Sequence, residues 1–112
     1  MASVYQIRIN TNEKIYESIN RELGILPTST LYCWEYTIEE NSIQFYQAVD
    51  VLLSLLEGKT NALKSIGVFI EDISMWYLYE YTDQCNMEFN SNELKRIGEL
   101  GITLCISCWE KQ

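Results

Sequence analysis

The sequence predicts a single α+β domain, residues 1–112, in which helices pack on one face of a largely antiparallel sheet. Three observations support this fold class. The length of 112 residues suffices for one core but not for two. Strand-like and helix-like segments follow one another in the order βαβαββαβ. Most strand-like segments alternate apolar and polar residues, as half-buried antiparallel strands do. We therefore expect a two-layer sandwich of about five strands.

The first half of the chain predicts strand, helix, strand and helix. "VYQIRI" alternates apolar and polar residues and predicts a strand. Thr11 and Asn12 are typical of a helix start, and Gly24 of a helix end, so the first helix is expected between them. "LYCWEYTI" is rich in aromatic and β-branched residues and predicts a second strand. A second helix is expected from Asn41 to Gly58. Its buried stripe is predicted at Ile43, Phe45, Tyr46, Val49, Leu52, Leu53 and Leu56.

The second half predicts two adjacent strands, a helix and a last strand. "TNALKSIG" indicates a turn or short helix, and a long strand is expected at about 68–81, bent near residues 71–72. "CNMEF" predicts a short additional strand. Asn90 and Glu93 form a capping-box pattern that begins the helix "SNELKRIGEL", and Gly101 ends it. "ITLCISCW" predicts the final strand.

One face of this sheet is expected to lie open, because the helices cover the other. If the more apolar side of each strand meets the helices, the open face is acidic and carries two tryptophans. The second strand is ambiguous, since either Trp34 or Glu35 could point inward. The residues expected on the open face are Gln6, Arg8, Glu35, Thr37, Ser74, Trp76, Glu80, Asn86, Glu88, Thr103, Ser107 and Trp109.

The charge of the chain limits its partners. The formal net charge is −8, and no Lys or Arg lies between Arg21 and Lys59 or between Lys64 and Lys95. Such a chain repels nucleic-acid backbones and anionic membranes, so neither is expected as a partner, whereas a basic protein is favoured. The N-terminus lacks a signal-peptide pattern, and the longest apolar run is far shorter than the ~20 residues that span a bilayer. We expect a cytoplasmic protein.

The composition does not favour catalysis. Histidine is absent, which removes the commonest general base and the commonest zinc ligand. The adjacent acids at 39–40 and 71–72 would point to opposite faces of a strand, so neither pair converges. No phosphate-binding loop, EF-hand or other cofactor motif is present in the sequence. We therefore predict no catalytic residue, no metal site and no cofactor.

The four cysteines are Cys33, Cys85, Cys105 and Cys108. The last two form "CISC", a redox or zinc spacing, but the motif lies in a strand-like segment with no helix after it. Structural thiols are the favoured interpretation, although an even count also permits disulfides.

The most unusual segment is "SMWYLYEYTDQCNMEF", which combines aromatic residues with acids and contains no base. Aromatic side chains with polar tips are enriched at protein interfaces. Consecutive strand residues cannot all point inward, so part of this segment must be exposed. For Trp76, Tyr77, Tyr79 and Tyr81 the pattern leaves core and interface positions equally open.

Three segments resemble a family of small bacterial domains that includes immunity proteins of polymorphic toxin and contact-dependent growth inhibition systems. They are "LGILPT", the tryptophan of "LYCWEY", and "ISMWYLYEYTDQCNMEFNSNELKRIGELGITLCISC". The resemblance implies a protein that binds and neutralises a cognate toxin domain. A nuclease toxin has a basic groove, which an acidic surface complements. The partner-binding residues expected on this basis are Glu35, Trp76, Tyr79, Glu80, Asp83 and Glu88, with Glu39, Glu40, Glu71 and Asp72 at the rim.

The sequence is also compatible with a second class of function. A non-catalytic interaction module of housekeeping or regulatory type would have the same composition. It would bind its partner more weakly and could associate with itself through the open face or an edge strand. We therefore expect a monomer or a weak homodimer.

Overall fold

The computed structural model describes residues 3–40, 47–84 and 86–112, and in these ranges the chain forms an α+β fold with four strands and four α-helices. The order is βαβααβαβ, with 3₁₀ turns at Glu13–Ile15 and Ile70–Asp72. The strands are β1 (Ser3–Ile9), β2 (Trp34–Glu40), β3 (Ile73–Tyr81) and β4 (Thr103–Glu110). The helices are α1 (Tyr16–Leu23), α2 (Ala48–Leu56), α3 (Thr60–Ser65) and α4 (Ser91–Leu100).

The sheet is mixed rather than largely antiparallel. Its spatial order is β2-β1-β3-β4. β1 pairs antiparallel with both β2 and β3, whereas β3 and β4 are parallel. The helix α4 connects the parallel pair, because parallel neighbours need a crossover and cannot be joined by a tight turn. The expectation of an antiparallel sheet is therefore correct for two of the three strand pairs and wrong for the last.

The predicted fifth strand does not form in the described part of "CNMEF", which comprises residues 86–89. Cys85 lies outside the described residues. Phe89 instead packs edge-on against Tyr77, with ring centroids 5.8 Å apart. This contact anchors the segment beside the sheet without strand pairing. The predicted element order was wrong here, because the alternation of half-buried Met87 and Phe89 with exposed Asn86 and Glu88 occurs in a segment that forms no strand.

The helix ends follow the predicted signals. Gly24 and Gly101 end α1 and α4 with left-handed φ angles of 69° and 78°. At the start of α4 the Asn90 side chain accepts a hydrogen bond from the Glu93 N–H (2.8 Å), and the Glu93 carboxylate accepts one from the Asn90 N–H (3.2 Å). This is the capping box predicted from the sequence. The predicted start of the second helix, with Ile43, Phe45 and Tyr46, lies outside the described residues.

The long strand predicted from residue 68 begins only at Ile73. Residues 70–72 form a 3₁₀ turn, in which the Asp72 carboxylate accepts a hydrogen bond from the Phe69 N–H at 2.9 Å. The Asn10 N–H donates to the Asp72 carbonyl at 2.8 Å, which ties this turn to the end of β1. The expected bend near Glu71 and Asp72 is thus a capped turn that precedes the strand.

A single core lies between the helices and one face of the sheet. It joins apolar residues of β1, β2 and β3 to buried residues of all four helices. Trp34 is fully buried at its centre, and its indole N–H donates to the Asn20 side-chain oxygen of α1 at 2.8 Å. The ambiguity of the second strand is thereby resolved, with Trp34 inward and Glu35 outward. The core residues of highest burial are Ile7, Ile9, Ile19, Trp34, Leu52, Leu53, Leu56, Leu63, Val68 and Met75.

Candidate partner-binding face

The strand register determines which side chains share the open face of the sheet. Residues that pair across strands point to the same side, so the open face consists of four rows that cross the sheet from β2 to β4. The rows are Glu35, Arg8, Ser74 and Thr103; Thr37, Gln6, Trp76 and Cys105; Glu39, Val4, Leu78 and Ser107; and finally Glu80 and Trp109. The predicted open face is therefore confirmed for the assigned residues of the four observed strands, but not for Asn86 and Glu88, because the strand that was to carry them does not form.

A network of side chains fills the first two rows. The Arg8 guanidinium carbon lies 4.0 Å from the centroid of the Trp76 ring, and Arg8 Nε donates to the Gln6 Oε1 at 2.8 Å. Arg8 Nε also lies 3.6 Å from the Glu35 carboxylate, with side chains 30% and 23% exposed. The Trp76 indole donates to the Ser74 hydroxyl at 2.9 Å. Glu35 and Trp76 are thus held in intramolecular contacts, and the Glu35 carboxylate faces the guanidinium of Arg8.

The unbalanced negative charge lies at the other end of the same face. Glu39 and Glu80 point outward from β2 and β3, and neither forms an ion pair with another described residue. Trp109 is paired with Glu80 in the fourth row and is 46% exposed. Asp83 is exposed two residues after β3 ends. We call Glu39, Glu80, Asp83 and Trp109 the acidic end.

The aromatic segment divides between the two faces of the sheet. Trp76 and Leu78 point to the open face, whereas Tyr77 and Tyr79 lie on the helix side. The Tyr77 ring stacks on Tyr5 at 4.6 Å and on Tyr79 at 5.8 Å. Burial raises the pKa of the Tyr5 hydroxyl well above its usual range, and Tyr77 adds to the increase, so Tyr5 is neutral at physiological pH. Because Tyr79 lies on the helix side of the sheet, it does not share a surface with the acidic end.

The other predicted site residues are dispersed. Glu40 is on the helix side, where its carboxylate accepts a weak hydrogen bond from the Ala48 N–H at 3.4 Å. Glu71 and Asp72 precede β3, at the end of the sheet opposite Asp83 and about 30 Å from it by strand length. Glu88 is exposed, but the strand that was to carry it onto the open face does not form. The structure thus brings together a subset of the predicted residues.

Two apolar residues and one tryptophan of the open face were not included in the predicted site. Val4 and Leu78 form the apolar middle of the third row, and Trp109 lies in the fourth row on the edge strand β4. The sequence pattern did indicate Trp109, because it alternates with the apolar residues of the last strand. Val4 and Leu78 gave no such signal, since an apolar residue in a strand is normally assigned to the core.

The described cysteines are not cross-linked to one another, and Cys33 is not activated. Cys33, Cys105 and Cys108 form no disulfide with one another or with any other described residue. Burial raises the pKa of the Cys33 thiol, and the nearby Glu35 carboxylate adds to the increase, so this thiol is not activated.

Across the described ranges, no group of three or more Cys, Asp or Glu residues is placed to hold a metal ion. No helix among the described residues has the length and apolar character needed to cross a membrane.

Comparison with known proteins gives no family for this chain: no family model, curated protein or solved structure matches it at a significant level.

Proposed function

We propose that this protein is an immunity protein that binds and neutralises a cognate bacterial toxin domain, a basic nuclease, through the open face of its sheet. The observation that carries the proposal is the acidic end, which combines the carboxylates of Glu39, Glu80 and Asp83 with the half-exposed Trp109 at one end of the sheet. Carboxylates without a described counter-ion attract a basic surface, and an exposed tryptophan provides contact area of the kind found at binding hot spots.

The rigidity of the face supports the same proposal. The network around Arg8 fixes the first two rows, so little side-chain freedom is lost when a partner covers them. The net charge of −8 extends the attraction beyond the contact surface and speeds the encounter. The resemblance of three sequence segments to small bacterial immunity domains agrees with this use of the surface.

The direct test uses the C-terminal domain of whichever large secreted protein is encoded beside this chain. Binding is measured at low and high salt, and the nuclease activity of that domain is assayed in parallel. We expect a tight one-to-one complex that abolishes the activity and associates more slowly as salt rises. Absence of binding, or a complex in which the toxin domain stays active, would refute the proposal.

A pair of charge-matched variants tests the site itself. Glu80→Gln should slow association by about threefold to tenfold, because it removes a carboxylate of the acidic end that has no ion pair with a described residue. Glu17→Gln is the control, since Glu17 is exposed on α1 in the opposite layer and carries the same charge. Trp109→Ala should increase dissociation by at least about tenfold. Equal effects of Glu80→Gln and Glu17→Gln would show that only net charge matters.

The second candidate is a non-catalytic interaction module. The exposed apolar residues Leu26, Leu31 and Tyr32, which are 73%, 75% and 91% exposed, favour it because they lie outside the acidic end. A module of this kind would bind a partner without inhibiting an enzyme. Replacing Tyr32 by Ser would then weaken that binding, while Glu80→Gln would leave it unchanged.

A further inference from the structure

We propose that β4 is a self-association edge, through which two copies pair as antiparallel strands and extend the sheet to eight strands. β4 is the last strand of the sheet order β2-β1-β3-β4, so one of its sides has no neighbouring strand among the residues that the structure describes. This inference does not depend on the proposed immunity function.

The backbone of β4 provides the first argument. The Lys111 N–H donates to the Tyr81 carbonyl at 2.7 Å, which fixes which residues of β4 direct their peptide groups toward β3. In a parallel ladder alternate residues point away, and here these are the residues Leu104, Ile106 and Cys108. Their N–H and C=O groups form no hydrogen bond with any residue that the structure describes outside the sheet ladder. An extended strand is the ligand that satisfies such a row.

The second argument is that β4 lacks the devices that normally protect an edge. It is eight residues long, its register with β3 continues without a bulge, and it contains no Lys, Arg or Pro. The residues 102–109 carry no charge at all, although the chain as a whole has 24 charged residues. Ile106 and Trp109 remain 47% and 46% exposed along this edge. A lone edge of this composition favours pairing.

The opposite edge of the sheet, formed by β2, is protected. Association through β4 therefore stops at a dimer. The Thr28 N–H donates to the Glu35 carbonyl at 2.8 Å, and the Glu35 N–H donates to the Ser29 carbonyl at 3.1 Å. The Thr37 N–H donates to the Thr28 hydroxyl at 3.0 Å. The remainder of β2 ends in the charged pair 39–40. A sheet with a single open edge gives a two-fold dimer rather than a fibre.

The uncharged stretch 102–109 also indicates which strand pairs with β4, namely β4 of a second copy, and in which register. A second copy brings the same neutral strand, so pairing buries no charge until Glu110. When Ile106 lies opposite its own copy, Leu104 lies opposite Cys108 of the second copy, and the outward peptide groups of both strands meet. In this register Cys105 and Ser107 of the second copy form a close pair on the open face.

Sedimentation equilibrium of the intact protein, with reductant present, tests the association. We expect a monomer–dimer equilibrium that shifts toward dimer as salt rises, because two copies of charge −8 repel each other at low salt. A monomer at all concentrations and salts would overturn the proposal. Dissociation that increases with salt would also overturn it, since charge rather than backbone pairing would then hold the copies together.

Substitutions at one position separate backbone from side chain. Ile106→Pro removes an outward N–H and should raise the dissociation constant of the dimer by at least about tenfold, whereas Ile106→Val keeps the N–H and should change it by less than about threefold. Cys108→Lys, at an exposed edge position, provides a second disruption, and circular dichroism verifies that each variant is folded. Dimerisation of both disrupted variants at wild-type strength would refute β4 as the interface.

The register is tested by a disulfide. Ser107→Cys places a thiol opposite the native Cys105 of the second copy, within the distance that a disulfide spans. Mild oxidation should yield a covalent dimer from Ser107→Cys but not from the same variant that also carries Cys105→Ser. Equal yields from the two proteins would contradict the paired arrangement.

Discussion

Replacing Arg8 by methionine tests whether the open face is a pre-formed surface. Methionine keeps an unbranched apolar stem over Trp76 but removes the guanidinium. The change therefore isolates three contacts: the stack on Trp76, the hydrogen bond to Gln6 and the ion pair with Glu35. All three lie on the open face and none belongs to the core on the helix side of the sheet.

The expected loss of stability follows from these contacts. A partly desolvated guanidinium 4.0 Å from an indole centroid contributes about 1 kcal/mol. The Glu35 ion pair, with N and O atoms 3.6 Å apart and both side chains partly exposed, adds about 0.5 kcal/mol. Gln6 is only 7% exposed, so leaving its Oε1 without the Arg8 donor costs about 1 kcal/mol. We expect Arg8→Met to lower the free energy of unfolding by about 2.5 kcal/mol, the sum of these contributions.

Urea denaturation followed by circular dichroism measures this difference, with Arg21→Met as the control. Arg21 is exposed on α1 and its guanidinium contacts only the Ser18 hydroxyl, at 3.2 Å, among described residues, so its loss should change stability by less than about 0.5 kcal/mol. A double-mutant cycle with Trp76→Leu should give a coupling energy of about 1 kcal/mol. If Arg8→Met is as stable as Arg21→Met, the face is not pre-formed and the argument from rigidity fails.

Three further changes test the fold. Asn20→Ala leaves the buried Trp34 indole N–H without its acceptor and should cost about 2 kcal/mol in a thermal or urea melt. Gly101→Ala forces a side chain into a φ of 78° and should cost about 1 kcal/mol, measured in the same way. Arg96→Met removes the bidentate pair with Glu57, at 2.7 and 2.9 Å, together with the contacts to Asp50 at 2.6 Å and Ser54 at 3.3 Å, and should cost about 1 kcal/mol near neutral pH. Because the hydrogen bonds from Arg96 lower the pKa of Glu57 below 4.5, this last difference is present above pH 4.5 and should shrink as the pH falls through the lowered pKa, in urea melts from pH 7 to pH 3.

The sequence predicted the local structure well because the signals there are local. The capping box at Asn90 and Glu93 and the left-handed glycine at 101 involve residues a few positions apart, and the structure contains both. The orientation of each strand was also predictable, because alternation requires only that one face be buried. The β4 alternation was correct even though its pairing was not.

The parallel pairing of β3 and β4 could not be read from that alternation. A strand at the edge of a sheet keeps an exposed face whichever direction its neighbour runs, so a two-faced pattern does not identify an antiparallel pair. The stronger signal was the helix between the two strands, which requires a crossover. Assigning residues 85–89 as a strand placed an additional strand between β3 and this helix, so the helix no longer appeared to connect β3 with β4.

The candidate site was predictable by residue type and face but not by charge balance. Glu35 and Glu80 both lie on the open face, yet only Glu35 is opposite Arg8 across the β1–β2 pair. Which base faces which acid depends on the register between distant strands, and the sequence does not specify that register. The acidic character is therefore concentrated at one end of a face that was expected to be acidic throughout.

This distribution of charge leads to a last prediction, which compares two variants that each remove one carboxylate from the open face. Glu35→Gln leaves Arg8 without its carboxylate partner and should lower the free energy of unfolding by about 0.5 to 1 kcal/mol. Glu80→Gln removes a carboxylate that has no ion pair with a described residue, so the free energy of unfolding should change by less than about 0.5 kcal/mol.

Addition of salt gives the decisive comparison between the two variants. The stability difference between wild type and Glu35→Gln should decrease in high salt, because screening weakens the Arg8 pair in the wild type. Glu80→Gln should show no such decrease. A larger loss of stability for Glu80→Gln than for Glu35→Gln would mean that Glu80 has a structural role. The acidic end would then lose its central free carboxylate, and the electrostatic argument for a basic partner would rest on Glu39 and Asp83 alone.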